Sequence, residues 1–159
     1  MITMRVGQGF DVHRFTDDPA RRMVLGGVEF PGERGLTGHS DADVVAHAVA
    51  DALLGAAGLG DIGMHFPDTD ARWEGADSID LLREVAQMLE KAGWTAVNVD
   101  CSVVCERPVL APRRGEMEER LVDAVGAPVS VKGRRAESLG AIGRGEGIAC
   151  WAVALVAKT

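Results

Sequence analysis

A chain of 159 residues carries one compact domain and is too short for two ordinary ones. Hydrophobic residues make up 47% of it, which excludes wholesale disorder. The net charge of −7 argues against nucleic acid as a main partner, while leaving room for a small anion in a local basic pocket.

The first predicted element is a strand over Arg5 to Phe15, with Gly7 and Gly9 as bends or as places where another backbone approaches. A second strand is predicted over Met23 to Phe30, ended by Pro31 and Gly32. From Asp41 to about Gly58, Val45, Ala48, Val49, Ala52, Leu53 and Ala56 follow the spacing of one helical face. Ser40 is the expected N-cap of this helix. Gly58 to Gly75 is a long loop rich in glycine, aspartate and proline, and long ordered loops are usually functional. Ser78 to Ala92 reads as a second amphipathic helix, stopped by Gly93. A strand over Val97 to Cys105 follows, broken by Pro108 and Pro112. Then come a helix over Arg113 to Val125, a short strand over Pro128 to Lys132 and a glycine-rich stretch from Leu139 to Gly147. The apolar run Ile148 to Ala157 reads as a strand buried on both faces. The succession describes one α+β domain, residues 1–159, with a mixed sheet.

That last run has about half of the roughly 20 residues that a membrane helix needs. The start, Met1 to Arg5, has no signal-peptide architecture. Cys101, Cys105 and Cys150 cannot all pair with one another and form no C-x-x-C motif, so they read as reduced thiols of a cytoplasmic protein.

All four histidines, His13, His39, His47 and His65, lie in the first 65 residues. On a strand, the period of two puts Asp11 and His13 on one face and Phe10 and Val12 on the other. A carboxylate beside an imidazole makes two-thirds of a common zinc site, and His47 can supply the third ligand. Asp43, His47 and Asp51 form a polar line on the first helix, which either lines a site or faces solvent. Three protein ligands would leave a fourth tetrahedral position open, the layout of a catalytic zinc. His39 and Ser40 precede a helix N-terminus, which attracts phosphate. Asp61, Asp68 and Asp70 in the long loop can accept hydrogen bonds from hydroxyls, or can be solvated. Lys132, Arg134 and Arg135 form a candidate diphosphate clamp beside Glu137, which can hold Mg²⁺ together with phosphate oxygens.

Taken in order, Gly9-Phe10-Asp11-Val12-His13, His39-Ser40-Asp41 with His47, Leu59-Gly60-Asp61-Ile62-Gly63, Phe66-Pro67-Asp68-Thr69-Asp70 and Gly143-Arg144-Gly145-Glu146-Gly147 resemble the 2-C-methyl-D-erythritol 2,4-cyclodiphosphate synthase family of the non-mevalonate isoprenoid pathway. The match spans nearly the whole chain. The resemblance implies a mixed sheet with helices on one face and a chorismate-mutase-like homotrimer with sites at subunit interfaces. It implies Zn²⁺ on Asp11, His13 and His47, and Mg²⁺ or Mn²⁺ on Glu137 and the substrate phosphates. The implied reaction is in-line attack of the 2-phosphate of 4-diphosphocytidyl-2-C-methyl-D-erythritol 2-phosphate on its β-phosphorus, with loss of CMP.

By the same resemblance, His39 touches the methylerythritol phosphate and steadies the transition state, Ser40, Asp61, Gly63 and Asp68 hold the erythritol portion, and Asp11, Val12, His13, Ile62, Phe66, Pro67, Thr69 and Asp70 also belong to the substrate site. Cys105, Pro108, Val109, Leu110 and Ala111 cradle cytosine from the neighbouring subunit. Arg134, Arg135 and Ala136 lead into Glu137, and Arg135, which the resemblance makes a catalytic residue with His39, stands where the family has a threonine that stabilises the transition state; the longer, charged side chain binds phosphate with a different geometry. Val109 replaces a frequent lysine. Ala141 stands where a larger residue is frequent, and Arg144 with Glu146 lies near the trimer axis, where members can bind isoprenoid diphosphates. A zinc-dependent phosphohydrolase and a non-catalytic trimeric binding module are the competing readings.

Overall fold

The computed structural model describes residues 2–158. In chain order the elements are β1 (Thr3–Arg14), the hairpin strands β2 (Val24–Leu25) and β3 (Val28–Glu29), α1 (Val44–Ala57) and the short α2 (Ile62–His65). A 3₁₀ turn at Ala71–Trp73, α3 (Ser78–Lys91), β4 (Thr95–Val104) and a second 3₁₀ turn at Ala111–Arg113 follow. The chain closes with α4 (Arg114–Val125), β5 (Val129–Arg134), the short α5 (Gly140–Gly143) and β6 (Gly147–Lys158).

Four strands form one mixed sheet in the order β1-β6-β4-β5. Strand β6 runs antiparallel to both β1 and β4, whereas β4 and β5 are parallel and joined by α4. Helix α1 lies on β1, β6 and β4; α3 packs on α1 and α4, and α4 lies along β5. The helices therefore cover one face of the sheet, giving the α+β architecture that the sequence predicts. The other face leaves Met4, Val6, Phe10, Val12, Trp151 and Val153 exposed.

Two glycines of β1 bring α1 unusually close. A Cβ at Gly7 would fall 2.1 Å from the Ala52 carbonyl oxygen, and one at Gly9 would fall 1.9 Å from that of Ala48. Backbone meets backbone here because the strand has no side chain and the helix offers only methyl groups. Every residue of α1 except His47, Asp51 and Gly55 is buried.

Several expectations are corrected. Helix α1 starts at Val44 rather than Asp41, and its cap is Asp43, whose carboxylate accepts from the N–H groups of Val45 and Ala46. Ser40 does not cap the helix because its Oγ is drawn inward to the Ala42 N–H and to His47 and Ser78, while Ala42 takes a positive φ of 59°. Met23 to Phe30 is not one strand but a two-residue hairpin, turned by Gly26 and Gly27 at φ 57° and 72°. The Gly58 to Gly75 loop contains α2 and a 3₁₀ turn. Strand β6 is not buried on both faces, since helices cover one side only and Trp151 and Val153 are 40% and 46% exposed. The three cysteines are buried free thiols.

Candidate active site

Strand β1 presents Asp11 and His13 toward the helical layer, and α1 presents His47 to meet them. One ligating atom from each lies within 4.8 Å of the other two. Asp11 Oδ2 stands 2.9 Å from His13 Nε2 and 3.1 Å from His47 Nδ1. Among the described residues no other group of three or more such side chains converges in this way.

The outer nitrogens of both rings are already committed. His13 Nδ1 lies 2.6 Å from the Thr37 carbonyl oxygen, which can only accept, so this nitrogen carries a proton. His47 Nε2 lies 2.8 Å from Ser78 Oγ, whose own hydroxyl is bonded to the Asp41 carboxylate. With both outer nitrogens donating, neutral rings turn their inner lone pairs onto a carboxylate oxygen. That arrangement balances only around positive charge, either protons or a cation. The residues thus fit a divalent metal held by one carboxylate and two imidazoles. Burial pushes the Asp11 carboxyl up, but hydrogen bonds from His13 and His47 and their charge outweigh it and hold it well below the usual carboxylate range. Burial likewise pushes His13 down, and the Asp11 carboxylate more than reverses this, leaving the imidazole raised.

A cavity of about 270 Å³ opens beside the triad, lined by His13, Gly38, His39, Ser40, His47, Ile62, Gly63, Phe66, Asp68, Trp73 and Leu81. His39 Nε2 donates to the Asp70 carbonyl at 3.1 Å, linking the two loops that form the rim. The side chains of Asp61 and Asp70 cap α2 and the first 3₁₀ turn, and Asp70 also grips Arg72. Pro67 and Thr69 sit on the same loop, outside the cavity lining. Asp43 and Asp51 are not a solvated face: Asp43 is fully buried, and Asp51 accepts from the Ile62 N–H at 2.8 Å, tying the loop to α1. Val12 faces the opposite side of the sheet, next to exposed Phe10.

A second cavity, about 380 Å³, lies beyond the ends of β4 and β5. Cys105, Pro108, Val109, Leu110, Ala111, Arg134 and Arg135 line it, as do Glu106, Arg107 and Lys132. It shares no lining residue with the first. Glu106 organises this end. Its carboxylate accepts from Arg135 Nη2 at 3.0 Å and from the Ala136 N–H at 3.0 Å. Lys132 is paired with Asp100 on the sheet. Glu137 is exposed on the loop after β5, at a positive φ of 52°. Ala141 lies in α5, and Arg144, the residue after it, pairs with Glu146 at 2.7 Å.

Sequence reading missed Ser78, the Thr37 carbonyl, Glu106 and Arg21. The Arg21 guanidinium donates to the carbonyls of Leu36, Gly38 and Ser40, bracing the loop that bears His39. None of these left a signal in the sequence, since each acts through contacts with distant segments.

The family model described as the YgbB family matches residues 4–157. The chain belongs to the YgbB family. Its similarity to named relatives agrees with the motif resemblance. A 2-C-methyl-D-erythritol 2,4-cyclodiphosphate synthase of Rubrobacter xylanophilus is 59% identical over 159 residues, covering 97% of this chain and 95% of that one. A bifunctional enzyme IspD/IspF of Anaeromyxobacter dehalogenans is 54% identical over 96% of this chain, which spans only 39% of that longer protein. A solved 2C-methyl-D-erythritol-2,4-cyclodiphosphate synthase, in a CDP-bound form, superposes with a TM-score of 0.85 at 35% identity, covering 96% of this chain and 99% of that one. In this YgbB member, no helix among the described residues is long and apolar enough to cross a membrane.

Proposed function

We propose that this chain converts 4-diphosphocytidyl-2-C-methyl-D-erythritol 2-phosphate to 2-C-methyl-D-erythritol 2,4-cyclodiphosphate and CMP. As a cyclodiphosphate synthase family member it is a lyase of isoprene biosynthesis. The observation that carries the mechanism is the convergence of Asp11, His13 and His47 on one point at the mouth of a cavity that also holds His39 and Asp68. A 2-phosphate oxygen forms a bond to the β-phosphorus while the bond from that phosphorus to the bridging oxygen breaks, and the electron pair leaves with CMP.

The substrate supplies its own nucleophile, so the protein needs to position two anionic groups and offset the charge spread over the β-phosphoryl oxygens. Zinc bound by Asp11, His13 and His47 would supply Lewis-acid stabilisation of that charge. His39, held at the rim by the Asp70 carbonyl, lines the cavity where the phosphate would sit. Ser40, Ile62, Gly63, Phe66 and Asp68 line the cavity for the erythritol portion, with the Asp68 carboxylate meeting its hydroxyls, and Asp61 shapes the adjoining loop by capping α2. Glu137 would hold Mg²⁺ or Mn²⁺ jointly with the diphosphate, and Arg134 and Arg135 add positive charge beside it. Cytosine occupies the cavity of Cys105, Pro108 and Leu110.

The two cavities share no residue, and the sheet leaves an apolar face open beside them. Both features support a homotrimer in which one subunit's metal cavity meets its neighbour's nucleotide cavity. The decisive assay is product identity: cyclic diphosphate plus CMP supports the reading, and a freed inorganic phosphate replaces it with a phosphohydrolase. His47→Ala is expected to abolish both zinc uptake and turnover with the assembly intact. Retained turnover with stoichiometric zinc overturns the ligand assignment.

A further inference from the structure

We infer that Ser78 and Asp41 position His47 for metal binding, by fixing which of its ring nitrogens carries the proton. The inference rests on the metal reading above and adds residues to it. Ser78 is the first residue of α3 and is buried, 1% exposed. Its Oγ lies 2.8 Å from His47 Nε2 and is bonded on its other side to Asp41 Oδ1. An ionised carboxylate can only accept, so the hydroxyl proton goes to Asp41. The serine lone pairs are then left for the imidazole, and His47 Nε2 must be the donor. Nδ1 consequently keeps its lone pair and turns it toward Asp11. A hydroxyl free to rotate would serve either tautomer; a hydroxyl anchored by a carboxylate serves one.

A purely structural account exists, because Asp41 Oδ2 also accepts the Ser78 backbone N–H at 3.1 Å and so satisfies the first turn of α3. Ser78→Ala separates the two roles, since it keeps that backbone bond and removes only the hydroxyl. Ser40 Oγ, 3.1 Å from the same His47 nitrogen, is a reserve acceptor, but it already receives the Ala42 N–H. Removing both hydroxyls leaves the ring without either acceptor.

The test measures zinc affinity by chelator competition, alongside thermal unfolding of the metal-free protein. Outer partners of metal-bound histidine are typically worth about 10–100-fold in affinity, so Ser78→Ala is expected near the low end and the Ser40→Ala/Ser78→Ala pair near the high end. Ser78→Thr, which restores a hydroxyl, is expected to recover most of the affinity. Unfolding of metal-free Ser78→Ala is expected within a few degrees of the parent. Should Ser78→Ala fail to fold, Ser78→Cys keeps the volume with only a weak acceptor, and the same loss is expected. If the parent protein takes no zinc, the metal reading itself fails. If the parent binds zinc and the double variant binds it equally well, the positioning role is overturned.

Discussion

Replacing Asp43 with alanine tests how the fold holds the helix that carries His47. This buried carboxylate accepts four backbone N–H groups: Val45 and Ala46 at the start of α1, and Gly26 and Gly27 at 2.8 and 2.6 Å in the hairpin turn. Losing a cap costs about 0.5–2 kcal/mol. Each hairpin amide left buried without a partner adds about 1–3 kcal/mol. Allowing for water reaching the partly exposed Gly27 amide, the total is about 3–5 kcal/mol, a large share of the roughly 5–15 kcal/mol that holds a typical domain. At about 2–4 °C per kcal/mol for a domain of this size, the midpoint should fall by roughly 6–20 °C. Calorimetry of the metal-free protein at fixed concentration reads this directly. A variant within 1 °C of the parent would refute the claim that this one side chain fastens hairpin to helix.

Burial, helped by the neighbouring Asp41 charge, pushes the Asp43 carboxyl up to about 6 against the pull of its backbone donors. A carboxyl that holds its proton more tightly when folded gives stability that is full below its unfolded value and is lost as pH rises toward 6. Asp43→Asn should therefore remove a fall in stability between pH 4 and 6 that the parent shows in urea titrations; identical pH profiles would count against it. Gly9→Ala would drive a Cβ to 1.9 Å from the Ala48 carbonyl, so α1 must retreat, and calorimetry and zinc titration should both show losses. Gly55→Ala on the same helix meets only the Gln8 carbonyl at 3.9 Å and should stabilise by roughly 0.5–1 kcal/mol in the same calorimetry. Glu137→Gln should raise the Mg²⁺ concentration needed for half-maximal turnover while leaving zinc content unchanged, as read by activity titration and metal analysis. Trp151→Glu places a charge on the open sheet face beside Phe10, 4.8 Å away between ring centroids, and should reduce the mass seen by sedimentation.

The sequence was most legible where chemistry follows a short period. Asp11 and His13 fall on one face because strand side chains alternate, and His47 stands out as an imidazole on a helix of alanine, valine and leucine. Helix α3 was legible from its amphipathic spacing and its glycine stop, and α4 lies where a helix was expected over Arg113 to Val125. The cap of α1 was not. Serine and aspartate are both good caps, and the choice fell to Asp43 because contacts from distant segments occupy Ser40. Second partners of the ligands were hidden for a similar reason. Thr37 acts through a carbonyl that every residue possesses, and Ser78 comes from a helix 31 positions away from His47. The one-sided exposure of β6 was also invisible, because an apolar run looks alike whether helices cover it or an open surface awaits another subunit.

His13 offers its far ring nitrogen to the common point and His47 its near one. The near nitrogen has the shorter reach, so the helix backbone must come in close for the geometry to close. The bare glycines of β1 grant that approach, so two positions without side chains set the spacing at which Asp11, His13 and His47 meet. A designer wishing to exchange His47 for a longer donor would have to widen the strand–helix gap, starting from Gly7 and Gly9.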